Sequence, residues 1–255
     1  MTVVLKLGGS VITEKDALET IDERALAAAA DAVADAIADG LDDLVVVHGA
    51  GSFGHPHAAR HGASSTDGIR DAAGAVEIHD AMYRLDVAVL ERLHDRGVDA
   101  LPIRPLSVAH RDAGGRVHCP TGAVAAMLAE GFVPVLHGDV VVHEGRGVTI
   151  LSGDDLVATL ADRLGADRVG LCSTVPGVLD ANGAVVPEIE RFADVADALG
   201  GSDATDVTGG MAAKVRTLLS LDAPASVFGP DDLAAFLAGE TPGTTVRGYS
   251  DGRTD

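Results

Sequence analysis

Val3-Val4-Leu5-Lys6-Leu7-Gly8-Gly9-Ser10 sets an apolar, β-branched run directly against a glycine turn, with a lysine at the end of the run. A short apolar stretch with no polar alternation reads as a strand buried on both faces, the kind found in parallel sheets. The turn that follows falls at the strand's carboxyl end, where open α/β sheets take their ligands. The same strand-then-glycine pattern returns at Leu44 to Val47, followed by His48-Gly49-Ala50-Gly51-Ser52-Phe53-Gly54-His55. Further strands are predicted at Ala100 to Ile103, Val133 to Leu136 and Arg168 to Cys172, between alanine-rich helices at Asp22 to Ala38 and Ala73 to His94. This alternation predicts βαβ crossovers with helices on both faces of an open, mainly parallel sheet, an α/β fold in three αβα layers. Residues 139 to 150 read as a hairpin turning at Glu144 to Gly147, and a second hairpin is expected over Gly177 to Val186 around Asn182-Gly183. No repeat or Pro/Ser linker divides the chain, so one domain over 1–255 with one continuous sheet is expected.

Lysine is scarce: three among 255 residues, against sixteen arginines and thirty-nine acidic side chains. Each lies in or beside a glycine-rich turn. Lys6 precedes Gly8-Gly9, Lys15 follows nine residues later, and Lys214 closes Thr208-Gly209-Gly210-Met211-Ala212-Ala213-Lys214. An ammonium at such a turn reaches phosphoryl oxygens while main-chain N–H groups bind the rest. The chain has no GxxxxGK[ST] loop, and no GxGxxG turn of the dinucleotide type follows the Val3 to Leu7 strand. Two glycine turns after strands, an acidic pair in Ser152-Gly153-Asp154-Asp155 and a distant lysine suit phosphoryl transfer without a Walker motif. That chemistry asks for charge neutralisation on two sides and an ordered Mg²⁺.

The net charge of −20 argues against nucleic acid and anionic membranes as partners. No apolar run reaches membrane-spanning length. Cys119 and Cys172 lack CxxC spacing and fit a reducing cytoplasm, as buried small residues. His55, His57 and His61 suggest a metal site, but no cysteine or carboxylate lies close in sequence to complete one, so no metal ligand is assigned.

Together these motifs resemble the amino acid kinase superfamily and, within it, the isopentenyl phosphate kinase family. The stretches that carry the resemblance are Lys6 to Thr13 with Lys15, His48 to His55, Gly138-Asp139, Ser152 to Asp155, and Thr208 to Met211 with Lys214. Gly-Gly-Ser and Thr-Gly-Gly-Met identify fold and reaction class; Gly-Ser-Phe-Gly-His points to the isopentenyl phosphate branch. The resemblance implies ATP-dependent phosphorylation of isopentenyl phosphate in isoprenoid biosynthesis, with ATP and Mg²⁺ as cofactors, by a homodimer. It implies an acceptor-binding half over 1–150 and a nucleotide-binding half over 151–255. Carried over by position, Lys6 and Lys214 would contact the transferring group, Lys15 the ATP phosphates, and Asp154 would orient the lysines or the metal. His55 would bind the acceptor phosphate, with main-chain groups near Gly9, Ala50 and Gly51. Gly8, Gly138, Asp139, Gly177 and Gly209 would lie towards ATP. Ala50 and Thr174 depart from the family's usual glycine and aspartate. Ile78, Met82 and Val124 are candidates for a prenyl pocket, with ordinary core as the competing reading. Acidic excess with Arg preferred to Lys resembles haloarchaeal proteins. Another small acceptor (UMP, a phosphonate or an amino acid) and a non-catalytic sensor on the same fold remain the alternatives.

Overall fold

The computed structural model describes residues 1–199 and 210–248. Strand β1 (Thr2–Leu7) runs into a one-turn helix, α1 (Gly9–Ile12). Helix α2 (Glu23–Ala38) starts where the Asp22 carboxylate accepts the Ala25 N–H, pairing an N–H that the first helical turn leaves open. Strand β2 (Asp43–His48) leads to α3 (Gly51–His61), and α4 (Ala72–His94) follows from its Asp71 cap. Next come β3 (Ala100–Pro102), α5 (Pro105–Val108), β4 (His110–Arg111), β5 (Val117–His118), α6 (Gly122–Ala129) and β6 (Val133–His137). The hairpin β7 (Asp139–His143) and β8 (Gly147–Leu151) precedes α7 (Gly153–Leu164) and β9 (Arg168–Cys172). The chain continues through β10 (Glu188–Ile189), α8 (Ala196–Leu199), α9 (Gly210–Leu219), β11 (Ala225–Phe228), α10 (Leu233–Leu237) and β12 (Thr244–Val246).

Eight strands form the main sheet in the order β10-β12-β11-β9-β1-β2-β6-β3. Every pairing in it is parallel except β11 with β12. Strand period decides the layers. Val3, Leu5 and Leu7 turn towards a core built with α2, α4 and α10, while Val4 turns to the opposite core with α7 and α9. Lys6 shares the face of Val4, which aims it at α7. The expected αβα sandwich is therefore the one observed.

The single continuous sheet is not. Gly138 ends β6, and the next five residues pair with β8 and β4 in a separate sheet of order β5-β4-β7-β8. An antiparallel hairpin satisfies its own backbone groups on one edge and has no need to extend a parallel sheet. The second expected hairpin shrinks to one bridge, Leu179 with Val185. Main-chain bonds flank it, Asp180 N–H to Ala184 O and Val186 N–H to Val178 O, and the Asp180 carboxylate accepts the N–H groups of Asn182 and Ala184 at the turn.

Candidate active site

The strand order reverses at β1, with β2 and β6 on one side and β9 and β11 on the other. At this switch point the carboxyl ends are tied rung to rung. Gly8 N–H donates to Cys172 O at 2.9 Å, Gly49 N–H to Leu7 O at 2.9 Å, and Gly138 N–H to His48 O at 3.0 Å. A cavity of about 710 Å³ opens above these ends. Lys6, Lys15, Lys214 and Asp154 all line it, as do His55, Gly8, Gly9, Ala50, Gly138 and Asp139.

Two lysines meet on one carboxylate. Lys6 Nζ donates to Asp154 Oδ1 at 2.6 Å and Lys214 Nζ to Asp154 Oδ2 at 3.0 Å. Burial raises the Asp154 carboxyl, but the charges and hydrogen bonds of the two lysines outweigh it and hold it at about 2. Asp154 owes its place to the start of α7, where the Ser152 hydroxyl accepts the Asp155 N–H at 3.1 Å. Asp155, one residue on, turns away and pairs with Arg111 at 2.8 Å. Helical phase thus turns Asp154 towards the lysines and Asp155 towards Arg111. Gly153 clears the way for Lys6, whose Cε would lie 3.1 Å from a Cβ at that position.

The two glycine turns touch main chain to main chain. A Cβ on Gly9 would come within 2.7 Å of Gly51 Cα, which no side-chain shift relieves. Gly51 has φ +49° and is buried beneath the loop, outside the cavity lining. Ala50 has φ −80° and ψ −33°, ordinary right-handed backbone, so the alanine there strains nothing.

Several positions fall elsewhere than the sequence suggests. Asp139 lines the cavity, but its carboxylate is turned to α4, accepting from His79 Nδ1 at 2.9 Å and from the Leu106 and Val140 N–H groups. That hydrogen bond raises the His79 imidazole above its ordinary value, against the opposing effect of burial. Gly177 does not line the cavity; it packs beside Thr244, whose hydroxyl accepts the Val178 N–H. Ser173, Thr174 and Val175 line it instead, just after β9. Ile78 and Met82 reach the cavity with Ala58 and Ile150, whereas Val124 is buried in the opposite core. Gly209 and the rest of Asp206 to Gly209 lie outside the described residues.

Among the described residues, the carboxylates lining the cavity form no metal cage. Both Asp154 oxygens are taken by lysines, and Asp139 is saturated by His79 and main chain. Among the described residues no group of three or more His, Cys, Asp or Glu is arranged around a common point. His57 and His61, the suspected metal pair, instead donate to carboxylates of Glu19 and Glu77. Burial raises the thiols of Cys119 and Cys172, the latter to about 12, which makes them inert fillers. No helix among the described residues is long and apolar enough to cross a membrane.

The amino acid kinase family model matches residues 1–221. The chain belongs to the amino acid kinase family. Among curated relatives in this family, the isopentenyl phosphate kinase of Haloferax volcanii is 67% identical over 246 residues, covering 96% of this chain and 98% of its own. That of Methanothermobacter thermautotrophicus is 36% identical, covering 86% of each chain. A solved isopentenyl phosphate kinase superposes with a TM-score of 0.83 at 28% identity, over 96% of this chain and all of its own. Members of the family are phosphotransferases, and a kinase draws its phosphoryl group from ATP.

Sequence reasoning passed over the groups that back this site. Glu19, His79 and Arg84 stand in no glycine motif and in no ligand spacing. The one signal available was position: Glu19 lies between Lys15 and the cap of α2.

Proposed function

We propose that this protein transfers the γ-phosphoryl group of ATP to isopentenyl phosphate, giving isopentenyl diphosphate and ADP, in the alternative mevalonate route to isoprenoids. The observation that carries this reading is the mixed wall of one cavity. Lys6, Lys15 and Lys214 bring cations to the same space that Ala58, Ile78, Met82 and Ile150 make apolar. An acceptor with a phosphate head and a short hydrocarbon tail fits both. The identity to the Haloferax volcanii kinase supports the same substrate.

In this reading an oxygen of the acceptor phosphate attacks the γ-phosphorus in line, and the bond to the β,γ-bridging oxygen breaks with its electron pair leaving on ADP. No general base is needed, because the attacking oxygen is already anionic. Lys6 and Lys214 stabilise charge on the transferred group, as preorganised cations whose geometry Asp154 sets beforehand. His55, on α3 at the cavity, takes the acceptor phosphate, and the Gly8-Gly9 and Gly49-Ala50 turns present main chain to the two phosphates. Lys15 holds the ATP phosphates. Mg²⁺, when bound with ATP, would neutralise phosphate charge; among the described residues the cavity carboxylates Asp139 and Asp154 are already paired, so the ion would rely chiefly on the nucleotide itself. The halves 1–150 and 151–255 then divide acceptor from nucleotide binding, with Lys6 and Lys15 reaching across. A homodimer and a salt-rich cytoplasm complete the proposal, the latter supported by the acidic surface and the haloarchaeal relative.

The test is an ATP-coupled kinase assay in molar KCl with Mg²⁺, offering isopentenyl phosphate, UMP, glutamate and fosfomycin in turn. High salt keeps a chain of charge −20 from self-repulsion. Strong preference for isopentenyl phosphate supports the reading. Preference for another acceptor discards it, and absence of turnover from folded protein favours a non-catalytic sensor.

A further inference from the structure

The segment between α1 and α2 carries Lys15, and it is fastened to α3 and α4 through one side chain the reaction does not use. Glu19 has φ +49°, the one left-handed non-glycine residue among those described. Such a conformation persists where the surroundings over-determine it. Its N–H donates to Ser52 O at 3.0 Å. Its carboxylate accepts from Arg84 of α4 twice, Nε at 2.8 Å and Nη2 at 2.7 Å, a forked pair that fixes orientation as well as distance. The same carboxylate meets His57 Nε2 of α3 at 2.7 Å. His57 is 5% exposed, and its other ring nitrogen meets Glu77 Oε1 of α4 at 2.9 Å. The ring is thus held between two carboxylates, two residues beyond His55. Thr13 adds a main-chain tie: its hydroxyl donates to Gly9 O at 2.8 Å and accepts the Ser52 N–H at 3.0 Å.

A surface salt bridge alone would mean little. Here, though, a buried imidazole and a bidentate arginine converge on one carboxylate from two helices. The loop they anchor has its lysine four residues earlier, at the cavity.

We propose that Glu19 is a positioning residue: clamped by His57 and Arg84, it sets Lys15 on the nucleotide side in register with His55 on the acceptor side. This rests on the reading of Lys15 as a ligand of the ATP phosphates. Transfer between two bound phosphates depends on their spacing, and a misplacement of about 1 Å is enough to cost on the order of a hundredfold.

A double-mutant cycle tests it, with MgATP and isopentenyl phosphate each varied and melting followed in molar KCl. Glu19→Gly removes the carboxylate while suiting the left-handed backbone. It should lower kcat/KM for ATP by about tenfold to a hundredfold. KM for isopentenyl phosphate should stay within about twofold, and in a Lys15→Ala background Glu19→Gly should cost less than about twofold more. An equal loss in both backgrounds would make the clamp ordinary structure and overturn the inference, as would no loss from Glu19→Gly. If Lys15→Ala alone leaves ATP kinetics unchanged, the reading of Lys15 fails, and the inference falls for that separate reason. Should Glu19→Gly not fold, His57→Gln enters the same cycle and cuts the tie from α3.

Discussion

Asp154→Asn removes one charge from the point where two ammonium groups meet and leaves the side-chain shape nearly intact. The Asp154 carboxyl is held at about 2 against an ordinary 3.8. At 1.36 kcal/mol per unit this corresponds to roughly 2 kcal/mol of attraction, net of the opposing cost of burial. The variant loses that attraction and leaves Lys6 and Lys214 facing each other without a counter-ion, both mostly buried. For a chain of this size the expected fall in melting temperature is about 4–8 °C. Molar KCl screens exposed pairs far more than this one, so the loss should survive in molar salt. Because a depressed carboxyl contributes its stability above its unfolded pKa and loses it as pH falls towards the folded one, the gap between wild type and variant should be level from pH 5 to 8. It should close below pH 4, towards about 2. In the kinase assay the lysines lose their spacing, and kcat should fall about a hundredfold. KM for ATP should hold or decrease, since phosphate becomes the anion both lysines can pair with. A variant with unchanged melting and kcat within about twofold of wild type would refute the coupling on which the site is built.

Three further outcomes are expected. Lys6→Arg should not preserve activity: Lys6 Nζ meets Asp154 Oδ1 at 2.6 Å as a compact point charge, a contact a longer, planar guanidinium fork does not reproduce, and kcat near wild type would overturn that geometry. His55→Ala should raise KM for isopentenyl phosphate about tenfold or slow transfer, consistent with loss of a charge-assisted hydrogen bond; unaltered kinetics would return His55 to a structural role. His79→Gln should destabilise the protein at pH 6 and progressively less at higher pH. The folded imidazole titrates above its ordinary value, so its contribution is complete below the unfolded pKa and disappears as pH rises through the folded one. Melting curves at pH 6 to 9 give the sign directly.

How much was readable in advance depends on the range over which each feature is specified. Strand β9 was legible to the residue, Arg168 to Cys172, because a fully buried parallel strand writes itself as a local apolar run. The Lys-Gly turns were legible for the same reason: strand, turn and charge are adjacent. The second sheet was not, since β7 looks alike whether it extends a neighbour or pairs with its own hairpin. The Asp139–His79 pair spans sixty positions and the Glu19–His57 pair thirty-eight, and no local pattern announces either. Val124 and Ile78 are both buried aliphatic helix residues, yet Val124 packs in the core shared with α7 and α9 while Ile78 packs in a separate cluster with Ala58 and Val140 of β7. That difference is one of helix placement, which only the assembled layers decide.

The convergence of all three lysines on one cavity has a practical side. To an amine-directed reagent this protein offers the N-terminal amino group of Met1, which is paired with Asp43, and otherwise only cavity amines. Acylation or reductive methylation, which on most proteins decorates the whole exterior, would here act as a footprint of a single site. Lys15, the exposed member, would be tagged first, and Lys6 and Lys214 only as their hold on Asp154 loosens. Mass spectrometry of such tags, with and without bound nucleotide, would follow occupancy at the level of individual side chains without an engineered label.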